Sequence, residues 1–229
     1  YGTGKTLIAL MIVEIMKRVK ENGFKKILVV STSLSIDTTW CDEIRTHTDF
    51  RFCVLKGGTN QKRNILEYVL EQVNNPNKYT YAKASDKPML FLINYDGVKG
   101  IWRELRDAGF DAVFADESTK IKTFDTDRTM SLYEASEKIP HRYIMTGFPI
   151  TEALYELYSQ IKFLDRGKVF GRSYYAWLNK NFVRVGQKLI VKKKAIKEIL
   201  ALIKPFCIRI TNEHLKLPPK VYKPIELEM

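Results

Sequence analysis

The sequence predicts an α/β fold with a mainly parallel β-sheet. Strand-like runs of apolar, β-branched residues alternate with amphipathic helical stretches up to about Gly147. The chain opens with Tyr1-Gly-Thr-Gly-Lys-Thr, the tail of a phosphate-binding loop. Strands and helices that alternate in this order are typical of a parallel sheet with helices on its faces.

The first predicted element is this loop with the helix after it, at residues 7–20. Small residues let backbone N–H groups surround a phosphate, and the positive end of the helix faces the same anion. Lys5 would reach the β- and γ-phosphates of a nucleotide, and Thr6 would offer its hydroxyl to Mg²⁺. The candidate nucleotide-binding residues are consecutive: Gly2, Thr3, Gly4, Lys5 and Thr6. The alternative is a glycine-rich turn before an ordinary helix.

The complete loop pattern, G-x-x-x-x-G-K-S/T, needs a glycine one position before Tyr1. The sequence also starts without Met. We therefore expect a fragment that begins inside the motif and lacks the strand before it.

Hydrophobic periodicity predicts the remaining elements. Continuous apolar runs suit strands buried on both faces, and apolar residues at helical spacing suit amphipathic helices. Strands are predicted at residues 27–32, 89–95, 111–115 and 142–146. Helices are predicted at residues 34–46, 60–74, 98–108, 128–138, 152–164, 173–182 and 192–204. Residues 75–87 are predicted to form a polar surface loop, residues 206–211 a short β-like stretch and residues 221–229 an extended strand.

Polar residues lie at or just beyond the end of each predicted strand. They are Ser31, Thr32 and Ser33, Asn94, Tyr95 and Asp96, Asp116 and Glu117, and Thr146 and Gly147. Ligands of open α/β sheets bind beyond the carboxyl ends of the strands. The sequence therefore predicts that these residues and the phosphate-binding loop share one edge of the sheet.

Asp116 and Glu117 form an acidic pair after an apolar strand. An Asp in this position holds Mg²⁺ in phosphate-loop ATPases, usually through water. Glu117 could orient or deprotonate the attacking water. Mg²⁺ prefers hard oxygen ligands, and phosphoryl transfer depends mainly on positioning, so this pair suits both needs. The alternative is that the pair caps a helix.

Composition narrows the class of protein. A hydrophobic fraction of 45% excludes wholesale disorder, and no apolar run approaches the roughly 18 residues that span a bilayer, so no membrane partner is expected. Three widely spaced cysteines form neither a disulfide framework nor a metal knuckle, so we expect a reducing, intracellular location in the cytoplasm or nucleoid. The net charge of +12 suggests a polyanionic partner. Residues 162–229 hold 16 Lys and Arg against 5 Asp and Glu, either on a binding surface or on a solvated face.

Five ordered segments carry a family resemblance. They are residues 2–6, residues 27–34 with Trp40 and Glu43, residues 116–122 (Asp-Glu-Ser-Thr-Lys-Ile-Lys), residues 146–150 with 156–159, and residues 206–211 with 217–220. In this order they resemble motif I, motif Ia, motif II in its D-E-x-H-x-x-K form, motif III and the closing segment of the first lobe in Swi/Snf-type ATPases of helicase superfamily two. The resemblance covers nearly the whole chain, and the ordered set is more specific than any single motif.

The resemblance implies a RecA-like P-loop NTPase lobe with a helical protrusion after motif III. Residues 1–164 would form the ATP-binding lobe, residues 165–205 the protrusion, and residues 206–229 a return to the lobe and the start of a linker. The protrusion lysines would be either DNA contacts or a solvated face: Lys192, Lys193, Lys194, Lys197 and Lys204.

The resemblance also implies an activity. ATP and Mg²⁺ would be the cofactors, and ATP hydrolysis would drive movement along duplex DNA. A second RecA-like lobe of the same parent chain would complete the ATP site with arginine fingers. We therefore expect an ATP hydrolase in the full-length parent and weak or no hydrolysis by this fragment alone.

The resemblance assigns roles to single residues. Lys5, Asp116 and Glu117 would be catalytic. Thr146 and Gly147 would couple hydrolysis to movement. DNA would be held through its backbone, because a sequence-specific grip would stall a translocase. Candidate DNA contacts are Thr32, Ser33, Asn94, Tyr95, Lys120 and Lys122, and the alternative for each is a cap, a turn or a place in the core.

Several positions depart from the family pattern. Thr119 stands where motif II has the His that helps to link the nucleotide site to the other motifs. Phe148 replaces the third residue of T-G-T-P, and the segment that reads the nucleotide base would precede Tyr1. By analogy, these differences suggest an outlying branch encoded by a phage or mobile element.

Three other functions remain open. The chain could belong to another superfamily-two enzyme, such as an RNA helicase or a restriction-type translocase subunit. It could be a non-catalytic nucleic-acid-binding module, although the intact phosphate-loop and acidic residues argue against loss of activity. A small-molecule phosphate-loop kinase is the most distant alternative, because nothing resembles a lid over a second substrate.

Overall fold

A five-stranded sheet forms the centre of the fold in a computed structural model that describes residues 4–19, 23–75 and 87–209. The strands are β1 (Lys26–Ser31), β2 (Arg51–Val54), β3 (Met89–Asn94), β4 (Ala112–Asp116) and β5 (His141–Met145). They lie in the order β2-β3-β1-β4-β5, and every neighbouring pair is parallel. The predicted α/β fold with a parallel sheet is therefore confirmed.

Helices connect the strands and continue after β5. Around β1 lie α1 (Lys5–Val19) and an unbroken helical run made of α2 (Ser33–Ser35), a π-helical turn (Ile36–Trp40) and α3 (Cys41–His47). The later helices are α4 (Thr59–Asn74), α5 (Tyr95–Asp107), α6 (Asp127–Ala135), α7 (Leu157–Asp165), α8 (Tyr174–Asn181) and α9 (Lys193–Ile203). Short 3₁₀ helices span Ser118–Ile121, Leu154–Glu156 and Lys204–Phe206. Each predicted helix is present in the described part of the chain, with its ends shifted by a few residues.

Helices cover both faces of the sheet. On one face, α4, α5 and α6 pack with Leu28 and Phe91. On the other face, α1 and the helical run after β1 pack with Val29 and Phe114. Because the central strands are buried on both sides, successive residues must both be apolar, which explains their continuous apolar runs.

The register of the sheet aligns the ends of the central strands. Ser31 pairs with Asn94, and Asp116 pairs with Met145. β1 also pairs with β4, and the last paired residues of the two strands directly precede Ser31 and Asp116. The prediction that the polar strand-end residues share one edge is therefore confirmed for the described residues.

Periodicity predicts neither β2 nor a hairpin formed by β6 (Phe182–Val185) and β7 (Lys188–Val191). β2 has four half-buried residues at the edge of the sheet, so it lacks the long apolar run of a central strand. The hairpin is mostly exposed and turns at Gly186, whose φ is +60°. The expectation that residues 165–205 are helical is thus corrected: a hairpin lies between α8 and α9.

The end of the described chain differs from prediction. Instead of a β-like stretch at 206–211, the structure has a 3₁₀ turn at Lys204–Phe206 followed by irregular backbone at 207–209. The predicted strand at 221–229 and most of the predicted loop at 75–87 lie outside the described residues. Among the helices that are described, none has the length and apolarity to cross a bilayer.

An aromatic cluster anchors the chain after β5. The ring of Tyr158 on α7 lies 5.2 Å from that of Trp177 and 6.5 Å from that of Phe170, measured between centroids. Ala195 and Ile199 of α9 close the same cluster. Aromatic pairs add about 0.5–1.5 kcal/mol each beyond burial of their area, so this packing fixes the protrusion to α7.

Candidate functional site

The start of α1 carries the described part of the phosphate-binding loop. Gly4 has a φ of +69°, a left-handed conformation that favours glycine, and its carbonyl accepts a hydrogen bond from the N–H of Ile8 at 2.9 Å. Lys5 is half-buried and Thr6 is buried in the first helical turn. The candidates Gly2 and Thr3 lie outside the described residues.

α1 precedes β1 in the chain and packs on the face of the sheet that carries Val29 and Phe114. Its last turns reach the chain just before β1, where a Cβ on Gly23 would stand 2.5 Å from the Cα of Lys17. The phosphate-binding loop lies at the other end of α1 and is predicted to be at the carboxyl edge of the sheet, as ligand sites of such sheets are. In that position the positive end of the helix dipole would be directed to the edge where Asp116 lies.

Asp116 ends β4 and is only 4% exposed. Its Oδ2 accepts three hydrogen bonds, from Ser31 Oγ at 2.9 Å, Trp40 Nε1 at 3.0 Å and Ser35 Oγ at 3.2 Å. Its Oδ1 accepts a hydrogen bond from the backbone N–H of Glu117 at 3.0 Å. A carboxylate oxygen has about two lone pairs, so Oδ2 is saturated while Oδ1 keeps the capacity to bind a cation or water.

Glu117 has the left-handed backbone conformation, with φ 51° and ψ 55°. This conformation costs a residue other than glycine about 1–2 kcal/mol, and such strain is concentrated at functional sites. Glu117 precedes the 3₁₀ helix Ser118–Ile121, but its side chain makes no capping hydrogen bond. The alternative in which the acidic pair serves as a helix cap is therefore not supported.

Two candidate DNA contacts are helix caps. Thr32 Oγ1 accepts a hydrogen bond from the N–H of Ser35 at 3.2 Å, and Asn94 Oδ1 accepts one from the N–H of Gly97 at 3.1 Å. Asn94 Nδ2 also donates to Ser33 Oγ at 3.1 Å, and Ser33 is exposed. The structure thus brings Thr32, Ser33 and Asn94 together at the ends of β1 and β3, where a contact to DNA stays a prediction.

Tyr95 lies in the core. It is 4% exposed, and its hydroxyl donates to the backbone carbonyl of Asp116 at 2.7 Å. Burial, followed by the nearby carboxylates of Asp116 and Glu117, raises the pKa of Tyr95 well above its ordinary value. A DNA contact through this side chain is therefore not supported, and the core alternative describes it better.

The ammonium group of Lys122 forms hydrogen bonds with other side chains of the protein. Its Nζ lies 2.6 Å from Thr151 Oγ1, 3.1 Å from Glu156 Oε1 and 3.4 Å from Glu152 Oε1. The hydrogen bond to Glu156 is the main cause that raises the pKa of Lys122. This residue therefore links the motif II segment to the chain after motif III, and its proposed contact with DNA would compete with that link.

A second buried link joins the same two segments. Ser118 Oγ donates to Gln160 Oε1 at 2.7 Å, and Gln160 Nε2 donates to the carbonyl of Pro149 at 2.7 Å. The motif III residues Thr146 and Gly147 directly follow β5, one position beyond the pairing of that strand with Asp116. The predicted coupling residues therefore belong to a segment that is hydrogen-bonded to motif II, and their role stays a prediction.

A groove of about 770 Å³ lies beside these motifs. It is lined by Tyr95, Asp96, Lys99, Thr119, Lys120, Lys122, Thr123, Thr126, Asp127 and Arg128. Lys99 pairs with Asp127, and Arg128 pairs with Asp96. Among the described residues Lys120 makes no ion pair and is exposed, so its ammonium group remains available to an anionic ligand.

Comparison with protein families decides the identity of the fold. The profile of the SNF2-related domain matches residues 1–229. The chain belongs to the SNF2-related domain family. The resemblance to Swi/Snf-type ATPases is therefore confirmed.

The SNF2-related domain is similar to parts of larger proteins. The structure of the Sulfolobus solfataricus SWI2/SNF2 ATPase core in complex with dsDNA matches with a TM-score of 0.67 and 24% identity, over 92% of this chain and 38% of that chain. Chromodomain-helicase-DNA-binding protein 7 of Gallus gallus is 24% identical over 232 residues, which are 100% of this chain and 7% of that protein. Putative protein p41 of Acyrthosiphon pisum secondary endosymbiont phage 1 is 34% identical over 102 residues, 42% of this chain and 22% of that protein. The chain thus spans less than two fifths of the length of each of these relatives.

The protrusion lysines of this SNF2-related domain divide into two kinds. Lys192 Nζ donates to the carbonyls of Asn179 at 3.0 Å and Lys180 at 2.7 Å, so it caps the carboxyl end of α8. The others are exposed: Lys193, Lys194, Lys197 and Lys204. Only these exposed lysines remain candidates for binding an anion.

Sequence reasoning missed the residues that hold the acidic pair in place. Ser35 and Gln160 carry no motif signal, and Trp40 is marked only as part of the motif Ia resemblance. Their roles depend on partners that lie 81, 42 and 76 positions away in the chain. Hydrophobic periodicity does not predict hydrogen bonds between residues that are so far apart in the SNF2-related domain.

Proposed function

We propose that this SNF2-related domain is the ATP-binding lobe of a DNA-dependent ATPase that uses ATP and Mg²⁺ to move along duplex DNA. The observation that carries the proposal is the buried Asp116 at the carboxyl end of β4, whose Oδ2 is saturated with hydrogen bonds while its Oδ1 can still bind a cation or water. Membership of the SNF2-related domain family supports the proposal. The names of its relatives also support it, because one is an ATPase core in complex with dsDNA and another is a chromodomain-helicase-DNA-binding protein.

The residues present fit a Mg²⁺ ion. Mg²⁺ prefers oxygen ligands and keeps several waters, and Asp116 Oδ1 has acceptor capacity left for one of them. Thr6 would supply its hydroxyl from the first turn of α1. When bound, the ion would neutralise charge that develops on the phosphates.

The other nucleotide-site residues would position the reactants. Lys5 and Gly4, with Gly2 and Thr3, would hold the phosphates at the positive end of α1. Glu117 would orient the attacking water or take its proton, and its left-handed backbone fixes where its carboxylate can reach. A second RecA-like lobe of the same parent chain would complete the site.

DNA would lie along the same edge of the sheet and be bound through its phosphates. Ser33 and Asn94 are joined by a hydrogen bond at this edge, and Lys120 faces the neighbouring groove. The proposed DNA residues remain Thr32, Ser33, Asn94 and Lys120. The proposed activity requires ATP and DNA, which places the protein inside the cell, and the phage relative supports an origin in a phage or mobile element.

The test is the ATPase activity of the native full-length protein with duplex DNA, single-stranded DNA and RNA. We expect duplex DNA to stimulate turnover most. The Lys5→Ala and Glu117→Gln variants should each lower turnover by at least about 100-fold, the size typical of lost positioning or acid–base groups.

The matched control is Glu152→Gln, an exposed carboxylate that lies outside the proposed catalytic groups. It should keep most of the activity. Stimulation by RNA alone would instead favour another superfamily-two enzyme. DNA binding without turnover under any condition would favour a non-catalytic module.

A further inference from the structure

We propose that Trp40 is a positioning residue for Asp116, and that it links this carboxylate to the helical run that begins at the predicted DNA contact. The inference rests on the proposed function, since it assigns a role at the proposed Mg²⁺ site. It concerns the indole N–H of Trp40, which donates to Asp116 Oδ2 at 3.0 Å.

Trp40 is held in one orientation. It is 1% exposed and belongs to the core cluster that also holds Ile36, Ile44 and Phe114. A buried indole N–H needs an acceptor, because leaving it unpaired costs about 1–3 kcal/mol. Asp116 supplies that acceptor, so burial of the ring and placement of the carboxylate depend on each other.

The π-helical turn makes this contact possible. Ser35 and Trp40 are five residues apart, yet both donate to the same oxygen of Asp116. In an α-helix, residues five apart point about 140° away from each other around the axis. In the π-helical turn the N–H of Cys41 bonds to the carbonyl of Ile36, five residues earlier, which aligns residues at this spacing.

The same helical run begins at the predicted DNA contact. Thr32 caps α2, Ser33 is its exposed first residue, and Ser35 reaches Asp116 one turn later. A phosphate bound at this end would shift or fix the run that carries Trp40.

A second connection reaches Asp116 from the next strand end. Asn94, a half-buried candidate, is followed by Tyr95, whose hydroxyl donates to the carbonyl of Asp116. Two predicted DNA-binding loops are therefore bonded to one residue, one through its side chain and one through its backbone. This arrangement gives DNA a direct physical path to the Mg²⁺ ligand.

The donors on Oδ2 differ in origin. Ser31 belongs to β1 and holds Asp116 from the sheet, whereas Ser35 and Trp40 belong to the helical run. Removing the indole N–H leaves the carboxylate buried and hydrogen-bonded but less fixed. Loss of such an outer-shell partner typically lowers metal affinity by about 10–100-fold.

The experiment uses the full-length protein and binding rather than turnover. Binding of Mn²⁺ to the complex with a non-hydrolysable ATP analogue is followed by electron paramagnetic resonance, with and without duplex DNA. We expect Trp40→Phe, which keeps an aromatic side chain but removes the N–H donor, to weaken Mn²⁺ binding about 10-fold and to abolish the effect of DNA on it. Nucleotide affinity without metal should stay unchanged.

Trp177→Phe is the matched control, since Trp177 is also buried, at 5% exposure, but lies in the protrusion cluster. It should bind Mn²⁺ like the wild type. Ser35→Ala removes a second donor from the same helical run without changing the core. It therefore tests the connection between the run and Asp116 even where Trp40→Phe lowers stability. We expect it, too, to weaken Mn²⁺ binding and to reduce the effect of DNA on that binding.

Wild-type Mn²⁺ affinity and a wild-type DNA effect in both Trp40→Phe and Ser35→Ala would overturn the inference alone. A wild-type protein that bound no metal–nucleotide complex, or whose binding ignored DNA, would overturn the proposed function and the inference together.

Discussion

The carboxylate of Glu156 is almost fully buried, and it is satisfied by partners from two motifs. It accepts hydrogen bonds from Thr151 N at 2.6 Å and Thr151 Oγ1, and it pairs with Lys122. With Ser118 and Gln160, this pair ties the segment after Asp116 to the segment after β5. Thr119 replaces the histidine expected to join these motifs, and the structure supplies other bonds between them.

The free energy of unfolding should depend on pH through the ionisation of the Glu156 carboxylate. Burial alone would raise the pKa of Glu156, but the hydrogen bonds from Thr151 and Lys122 outweigh it and hold the pKa below its ordinary value. Its stabilising contribution is therefore present above the unfolded pKa of about 4.3 and is lost as the pH falls through the lower folded value. We expect Glu156→Gln to lower the free energy of unfolding at pH 7, and the difference from wild type to shrink below about pH 4.

Urea titrations at neutral and acid pH measure this difference. Glu152→Gln is the control, because Glu152 contacts the same lysine but is 76% exposed, and it should change little. A destabilisation by Glu156→Gln that persisted unchanged at acid pH would contradict the assignment.

At the scale of elements, two features of the backbone are not predicted by the hydrophobic pattern of the sequence. The π-helical turn Ile36–Trp40 interrupts a segment whose pattern predicts one regular helix. The hairpin of β6 and β7 lies within the predicted helical protrusion, between two predicted helices, and its exposed strands lack a strong apolar signal. Both features depend on a few residues at a turn.

Gly186 should control the stability of the hairpin. Its φ of +60° lies in the left-handed region, so Gly186→Ala should destabilise the hairpin by about 1 kcal/mol. Gly186→Asn should cost less, because Asn adopts this conformation more readily than Ala. Hydrogen exchange of the hairpin amides is the measurement, since the hairpin can open without the main sheet. Equal protection in the two variants would show that the turn conformation is not limiting.

At the scale of the whole molecule, two anion-binding functions occupy different parts of the chain. The nucleotide-site candidates lie in a region of nearly balanced charge, and most of the net charge of +12 is carried by residues 162–229. Within the described part of that region, Lys192 caps a helix while Lys193, Lys194 and Lys197 are exposed on α9. The surface of α9 is thus the most basic described part of the protrusion.

The contribution of α9 to DNA binding can be measured from salt dependence. We expect replacement of Lys193 and Lys197 by Gln to reduce the slope of log Kd against log salt by about one to two, since each phosphate contact contributes about 0.9. The control replaces Lys25 and Lys138 by Gln, because these exposed lysines precede β1 and β5 at the opposite edge of the sheet. An equal change in both proteins would assign the effect to net charge rather than to a surface on α9.

The sequence by itself determined the α/β class, four of the five strands of the main sheet, the order of the motifs and their common edge. These follow from local signals, because a strand buried on both faces must be continuously apolar and parallel strands end on one side. Only the tertiary structure decided what each polar side chain does. Asp116 Oδ2 takes its three donors from residues 76 to 85 positions away, Tyr95 turns into the core, and Lys122 pairs with Glu156 at a separation of 34. Such contacts depend on sheet register and helix packing. These bring together residues that are far apart in the chain, and local sequence patterns do not predict which of them will meet.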